Sequence, residues 1–274
     1  MTLTLGTGPF GEQSAGEFNF EVTAPRNHPL YLENSPRRVR AVFAGETVVD
    51  SRRVKLLHEK NHLPVYYFPL EDVRQDLLEK TDHTTHCPFK GDAAYWSVRV
   101  GDRVAENAVW GYPEPLEGAP RISGLVAFYF GAMDHWYEED EEISIHPKDP
   151  YHRVDVLESS RRVRISVGGQ TVAETNRPKV LFETGLPPRY YIPPDDVRKE
   201  FLIPSETTTG CPYKGTASYR SIEAGGERLE DAVWYYPDPL PEVRKTKDHL
   251  CFYDEKVDVE LDSEPQARPA TPFS

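Results

Sequence analysis

Cysteine is scarce in this chain: 274 residues hold only Cys87, Cys211 and Cys251. A sparse, odd count fits reduced thiols better than a disulfide framework. Long apolar runs are missing, and no stretch reaches the roughly 18 residues that a membrane-spanning helix needs. Positive charge is in deficit, with 32 Lys and Arg against 45 Asp and Glu and a net charge of -13. So acidic a chain repels phosphate backbones, which makes nucleic acid a poor partner. The opening "MTLTLGTGPFGEQSAGEFNF" has no basic start and no long apolar segment, so it does not read as a secretory signal. The expected location is the cytoplasm. What is present is core-forming material: 38% hydrophobic and 11% aromatic residues, in a length that suggests two domains.

The chain repeats itself. "THCPFKGDAAYWS" at Thr85–Ser97 returns as "TGCPYKGTASYRS" at Thr209–Ser221, and Cys87 and Cys211 stand 211 − 87 = 124 positions apart. At that offset Arg38–Leu116 aligns without a gap to Arg162–Leu240, and 36 of the 79 pairs are identical. Random pairing gives about one match in 16, so the halves are copies. The match resumes at Phe128-Tyr129 against Phe252-Tyr253, and His28 and His152 share the offset. Two copies are too few for a solenoid, so two like domains are expected.

Within each copy the signals are mostly strand. "RVRAVF" and "RVRISV" alternate polar and apolar residues, the period of a half-buried strand. "TVVDS", "VKLLHE", "PVYYFP", "AAYWSVRV", "VAENAVWGY" and "GLVAFYF" add further strands. The spacing of Val73 and Leu77 predicts one short helix over Asp72–Leu78, with its counterpart over Asp196–Leu202. The predicted fold is mainly β: two homologous small β-rich domains, each a strongly bent, tent-like sheet or open barrel with one short helix. The predicted boundaries are an N-terminal extension over 1–27, a first repeat over 28–137 and an acidic, Pro-containing linker over 138–151. A second repeat over 152–262 and a disordered tail over 263–274 follow. The copies are expected to form an intramolecular pseudo-dimer, in a monomer or low-order oligomer.

"TDHTTHCPFKGDAAYWSV" and "SETTTGCPYKGTASYRSI", with "AENAVWGYPEP", "LVAFY" and "HLPVYYFPLEDVRQDLLE", resemble the domain-of-unknown-function 427 family. The resemblance covers about 200 residues across both copies. It implies a small β-rich domain, here in tandem, and supplies no reaction. A nucleotidyltransferase-like label accompanies that family. This chain has no Walker loop, no G-x-G-x-x-G on a βα turn and no G-x-S-x-G elbow, and no cofactor is expected.

Candidate chemistry gathers at the repeated loop. Lys90 can hold an anion as a point charge, with Thr84 and Thr85 to orient it and Gly91 to let backbone approach. The plain alternative is a turn that packs a thiol and a ring into the core. Cys87 could act as a nucleophile if His83, His86 or Lys90 lowered its pKa, but Cys211 lacks the histidines. "HTTHC" does not have a zinc ligand set, so no metal is expected. Glu106, paired with Glu230, is a candidate proton carrier, or else a structural ion-pair partner of Lys90, Arg38 or Arg40. Tyr66, Tyr67, Trp96 and Trp110 could form apolar walls, with Lys214, Glu230 and Arg220 as second-copy counterparts. Trp96 is replaced by Arg220 in the second copy. Two readings follow: a pocket for a small polar or anionic molecule, with or without catalysis, or a non-catalytic ligand-binding or protein-interaction module. The first expects Lys90 and Glu106 to converge in one cleft.

Overall fold

The computed structural model describes residues 28–271, together with 3, 4, 6–12, 16, 18 and 19. The N-terminal extension, 1–27, therefore lies partly outside the described residues, and the end of the tail, 272–274, wholly outside them. The chain divides into two compact units at Asp149/Pro150.

Among its described residues the first unit has eleven strands: β1 (Leu30–Asn34), β2 (Val39–Phe43), β3 (Glu46–Ser51), β4 (Lys55–Glu59), β5 (Val65–Pro69), β6 (Leu78–Cys87), β7 (Gly91–Val100), β8 (Arg103–Gly111), β9 (Leu125–Phe128), β10 (His135–Glu138) and β11 (Glu141–Ile143). They form a seven-stranded sheet ordered β1-β4-β5-β9-β8-β7-β6 and a four-stranded sheet ordered β11-β10-β2-β3. The pairings are antiparallel, and both sheets are open rather than closed into a barrel. The second unit repeats the plan. Its large sheet runs Val154–Glu158, Lys179–Glu183, Arg189–Ile192, Leu250–Phe252, Glu227–Tyr235, Gly215–Ala224, Leu202–Cys211.

Period-two alternation gives the large sheet two apolar faces. Leu56, Tyr66, Phe68 and Val126 join Val39, Ala41 and Trp136 of the small sheet in one core. Their neighbours Leu57, Tyr67 and Ala127 join Ala93, Tyr95 and Tyr112 in a second core on the opposite face. Phe68 is fully buried, with its ring centroid 5.8 Å from Phe128 and 6.2 Å from Trp136.

The expected helix over Asp72–Leu78 is replaced by two 3₁₀ turns, Leu70–Asp72 and Gln75–Leu77. Between them Val73 is extended, is buried, and bridges Val49, while the Arg74 N–H donates to Val48 O at 2.8 Å. So short a helix nucleates poorly, and pairing with β3 captures the backbone instead. The second copy does the same, with Val197 bridging Ala173.

Two further segments differ from expectation. Within 138–151, Glu141–Ile143 forms β11, and Glu138 is buried, accepting from the Tyr66 hydroxyl and pairing with Arg37. In the tail, Glu264–Pro265 pairs with Asp258–Leu261, and the Gln266 N–H donates to Val259 O at 2.8 Å. A free hairpin edge beside each stretch captures backbone that composition alone marks as polar coil.

The strand β6 and its counterpart Leu202–Cys211 are sheet edges, each ten residues long and mostly exposed. Each slips in register part-way, at Lys80/Thr84 and at Pro204/Thr208.

Phe68→Ala should destabilise the first unit by about 3–5 kcal/mol, since the cavity cannot refill. Urea unfolding of the full chain followed by far-UV circular dichroism measures it; a loss below about 1 kcal/mol would contradict the core described.

Candidate functional site

The repeated Cys-Pro-aromatic-Lys-Gly phrase is the hairpin turn between β6 and β7. The Lys90 N–H donates to Cys87 O at 3.3 Å, and Lys90 O accepts from the Leu116 N–H at 3.0 Å. Gly91 has φ +107°, and a Cβ there would lie 3.2 Å from Glu114 O; Gly215 has φ +97° with 3.3 Å to Asp238 O. Only glycine suits that conformation at that approach. The turn aims the lysine side chain inward across the sheet.

There the Lys90 ammonium donates to Glu59, the last residue of β4, and His28 Nε2 stands 3.0 Å from the other oxygen of that carboxylate. The His28 ring stacks on Phe89 at 3.8 Å between centroids and 4° between planes. Lys90 Nζ also lies 5.8 Å from the centre of the Tyr112 ring. The second copy repeats the arrangement: Lys214 Nζ reaches both oxygens of Glu183 at 2.6 Å, His152 Nε2 is 3.0 Å away, and His152 stacks on Tyr213 at 3.9 Å. In both copies histidine, glutamate and lysine follow one another at steps of 31 residues.

Burial pushes both carboxyls up, but Lys90 and His28 outweigh it and hold Glu59 below the usual carboxylate range. Glu183 is held lower still, to about 2, with burial opposed by His152 and Lys214. Each glutamate is therefore ionised and each lysine charge is already compensated within the cluster.

In the first unit this cluster borders a cleft of about 640 Å³. Tyr67, Tyr95, Trp110, Tyr112 and Tyr129 supply its aromatic walls, and Trp110 and Tyr129 lie 4.6 Å apart between centroids. His62, His86, Cys87 and Lys90 contribute polar groups, while Ile145, His146 and Pro147 line it from the segment after β11. That segment is anchored at Asp149, whose Oδ2 lies 3.5 Å from Nδ1 of the buried His58; Glu33 is 2.8 Å from Nε2. Burial opposes charge on His58, but Asp149 and Glu33 together raise its pKa.

The candidates drawn from sequence divide. Lys90, Cys87, Tyr66, Tyr67 and Trp110 line the cleft. Thr85 Oγ1 is 2.9 Å from the Tyr95 hydroxyl at the cleft wall, whereas Thr84 is exposed on β6. Trp96 packs against the inter-sheet core. Glu106 is exposed and does not meet Lys90, and Glu230 is exposed on Ser221 and Arg228. The reason lies in β8. Asn107 has φ +49°, and the register with β7 slips between Trp96/Val109 and Val98/Ala105. The bulge breaks the alternation that would have placed Glu106 beside Trp110. Lys214 pairs with Glu183. Arg220 lies over Tyr235 at 5.3 Å and lines a separate cleft of about 330 Å³. Sequence reasoning missed Glu59 and Glu183; their identity at the 124-residue offset is shared with 35 other positions of the aligned stretch and does not single them out. Among the described residues no group of three His, Cys, Asp or Glu is placed to hold a metal. No helix among them is long and apolar enough to cross a membrane.

The fold and the repeated cluster define a class: a tandem pair of small open-sheet β domains, each built on a buried lysine–glutamate–histidine contact. The chain belongs to the family described as domain of unknown function 427, whose model matches twice, at residues 31–139 and 155–263. No curated protein matches it.

Glu183 has a lowered folded pKa, so its contribution is complete above the unfolded value near 4.5 and disappears as pH falls toward about 2. The wild-type chain should lose on the order of 3 kcal/mol over that window through this group. Glu183→Gln should flatten that part of the curve. Urea midpoints from pH 7 to pH 2.5 test it, and parallel curves for the two proteins would refute it.

Proposed function

We propose that the first repeat binds a small, flat molecule carrying a polar or anionic group, held in the cleft beside Lys90. The observation that carries this reading is the convergence of five aromatic side chains on one compensated lysine–glutamate–histidine cluster inside a cleft of ligand size. Aromatic walls supply apolar area to a planar ring, and a few fixed polar groups set its orientation. The balance of charge favours an anion. Glu59 is the single carboxylate among the described residues that line the cleft, and Lys90 already pairs with it, so the lining sets no uncompensated negative charge against an anion. The cluster can also hold or hand over a proton at the lysine Nζ, the carboxylate or the histidine Nε2. Acid–base chemistry on a bound molecule is thus within its means, and Glu59 takes the part that sequence assigned to Glu106.

The test compares 1-anilinonaphthalene-8-sulfonate with N-phenyl-1-naphthylamine, the same rings without the sulfonate, by fluorescence titration and calorimetry on the full chain. The sulfonate should bind at least tenfold more tightly than the neutral compound. Lys90→Met with Glu59→Gln, which strands no carboxylate, should remove that preference, and Tyr129→Ala, at a wall residue 49% exposed, should weaken both probes without unfolding the domain. Equal affinities for the two compounds, or no effect of either substitution, would overturn the reading. Esters and amides of any confirmed ligand then separate enzyme from binder: turnover lost in Glu59→Gln with binding kept marks an enzyme.

A further inference from the structure

The two copies share the lysine–glutamate–histidine cluster, yet their clefts differ at three positions that act together. Val65 and Phe130 line the first cleft; at the 124-residue offset stand Arg189 and Asp254, and Gly131 becomes Glu255. In the second unit Arg189 Nη1 and Nη2 donate to the two oxygens of Glu255 at 2.9 and 2.5 Å, and Asp254 lies 3.5 Å away. The guanidinium sits 5.7 Å from the centre of the Trp234 ring, the counterpart of cleft-lining Trp110. Arg189 is only 5% exposed, and Trp234 is 8% exposed where Trp110 is half-buried. Lys256 Nζ lies 5.1 Å from the Tyr253 ring, the counterpart of the open Tyr129. The side chain of His152 is 3% exposed against 16% for His28. His62 and His86 are replaced by Leu186 and Gly210.

We infer that the second copy carries a built-in occupant, the Arg189 guanidinium clamped by Glu255 and Asp254, so that of the two equivalent clefts beside the lysine–glutamate–histidine clusters the first copy's alone is open to a ligand. This rests on the binding reading above and deepens it. A buried arginine needs its carboxylates and the carboxylates need the arginine, so the three substitutions form one unit. Because the lysine–glutamate–histidine cluster persists in the closed copy, it alone does not make a binding site. Ligand selection belongs to the positions that differ: Val65, Phe130, His62 and His86.

Calorimetry of the full chain with 1-anilinonaphthalene-8-sulfonate decides the matter. The wild type should bind one equivalent. Lys90→Met with Glu59→Gln, which strands no carboxylate, should abolish that site or weaken it at least tenfold, whereas Lys214→Met with Glu183→Gln should leave both its stoichiometry and its affinity unchanged. Exchanging the unit for its first-copy residues, Arg189→Val with Asp254→Phe and Glu255→Gly, should raise the count to two. The reverse exchange, Val65→Arg with Phe130→Asp and Gly131→Glu, should lower it to zero while far-UV circular dichroism stays native. Two equivalents in the wild type would overturn this inference and leave the binding reading standing. One equivalent that the Lys214→Met, Glu183→Gln pair abolishes and the Lys90→Met, Glu59→Gln pair spares would also overturn it, without needing either triple variant to fold. No binding by the wild type would overturn the binding reading and this inference with it.

Discussion

The contact on which each domain depends is a lysine ammonium set against a buried glutamate across the large sheet. The lysine comes from a hairpin turn and the glutamate from a strand 31 residues earlier, so the pair ties two distant parts of the sheet together. Neither charge is tolerated there alone, because an unpaired ion out of water costs several kcal/mol. The histidine satisfies the remaining carboxylate oxygen and stacks on the aromatic residue of the same turn. Glycine after the lysine is part of the same device, since the positive φ turns the chain back without moving the ammonium. The phrase repeated in the sequence is thus scaffold first, and it is also the polar wall of the first-unit cleft.

Duplication makes the comparison of copies informative. Residues kept in both halves include those that the architecture requires: the turn, the compensated pair, and the tyrosines that enter opposite cores. Several residues that line the first-unit cleft, among them His62, Val65, His86 and Phe130, are different in the second copy. The second unit replaces apolar cleft residues by a guanidinium and two carboxylates, and burial raises the pKa of one of these, Asp254, to about 6. The chemistry of that face has therefore been rewritten while the sheet beneath it has not.

Much of the fold was legible because sheet alternation and an ungapped offset are strong signals. The strands around Val39, Val65, Gly91 and Arg103 stand close to where alternation places them. The helix over Asp72–Leu78 was not, because the competing partner, Val49, is distant in sequence. The strands Leu30–Asn34 and Glu141–Ile143 carry no clear alternation and are fixed by their neighbours. Of the residues that line the candidate cleft, Lys90, Tyr67 and Trp110 were among those picked out from the phrase and its surroundings. Glu59 could not be singled out, because one acidic residue at a strand end looks like any solvated carboxylate until its partner is placed. Glu106 misled because a bulge at Asn107 changes which way β8 faces, and bulges leave little trace in composition.

The edge strands bear on how such a chain reaches its native state. Two sheets with nearly the same pattern are synthesised on one polypeptide, and each could accept the other's hairpin. At one position the rim segments differ in kind: Lys80 in one copy, Pro204 in the other, each beside a register slip. Proline withholds the amide that a foreign neighbour would need, and lysine makes burial of that rim expensive. Each rim is thus a poor template for an added strand, by charge in one copy and by a missing amide in the other.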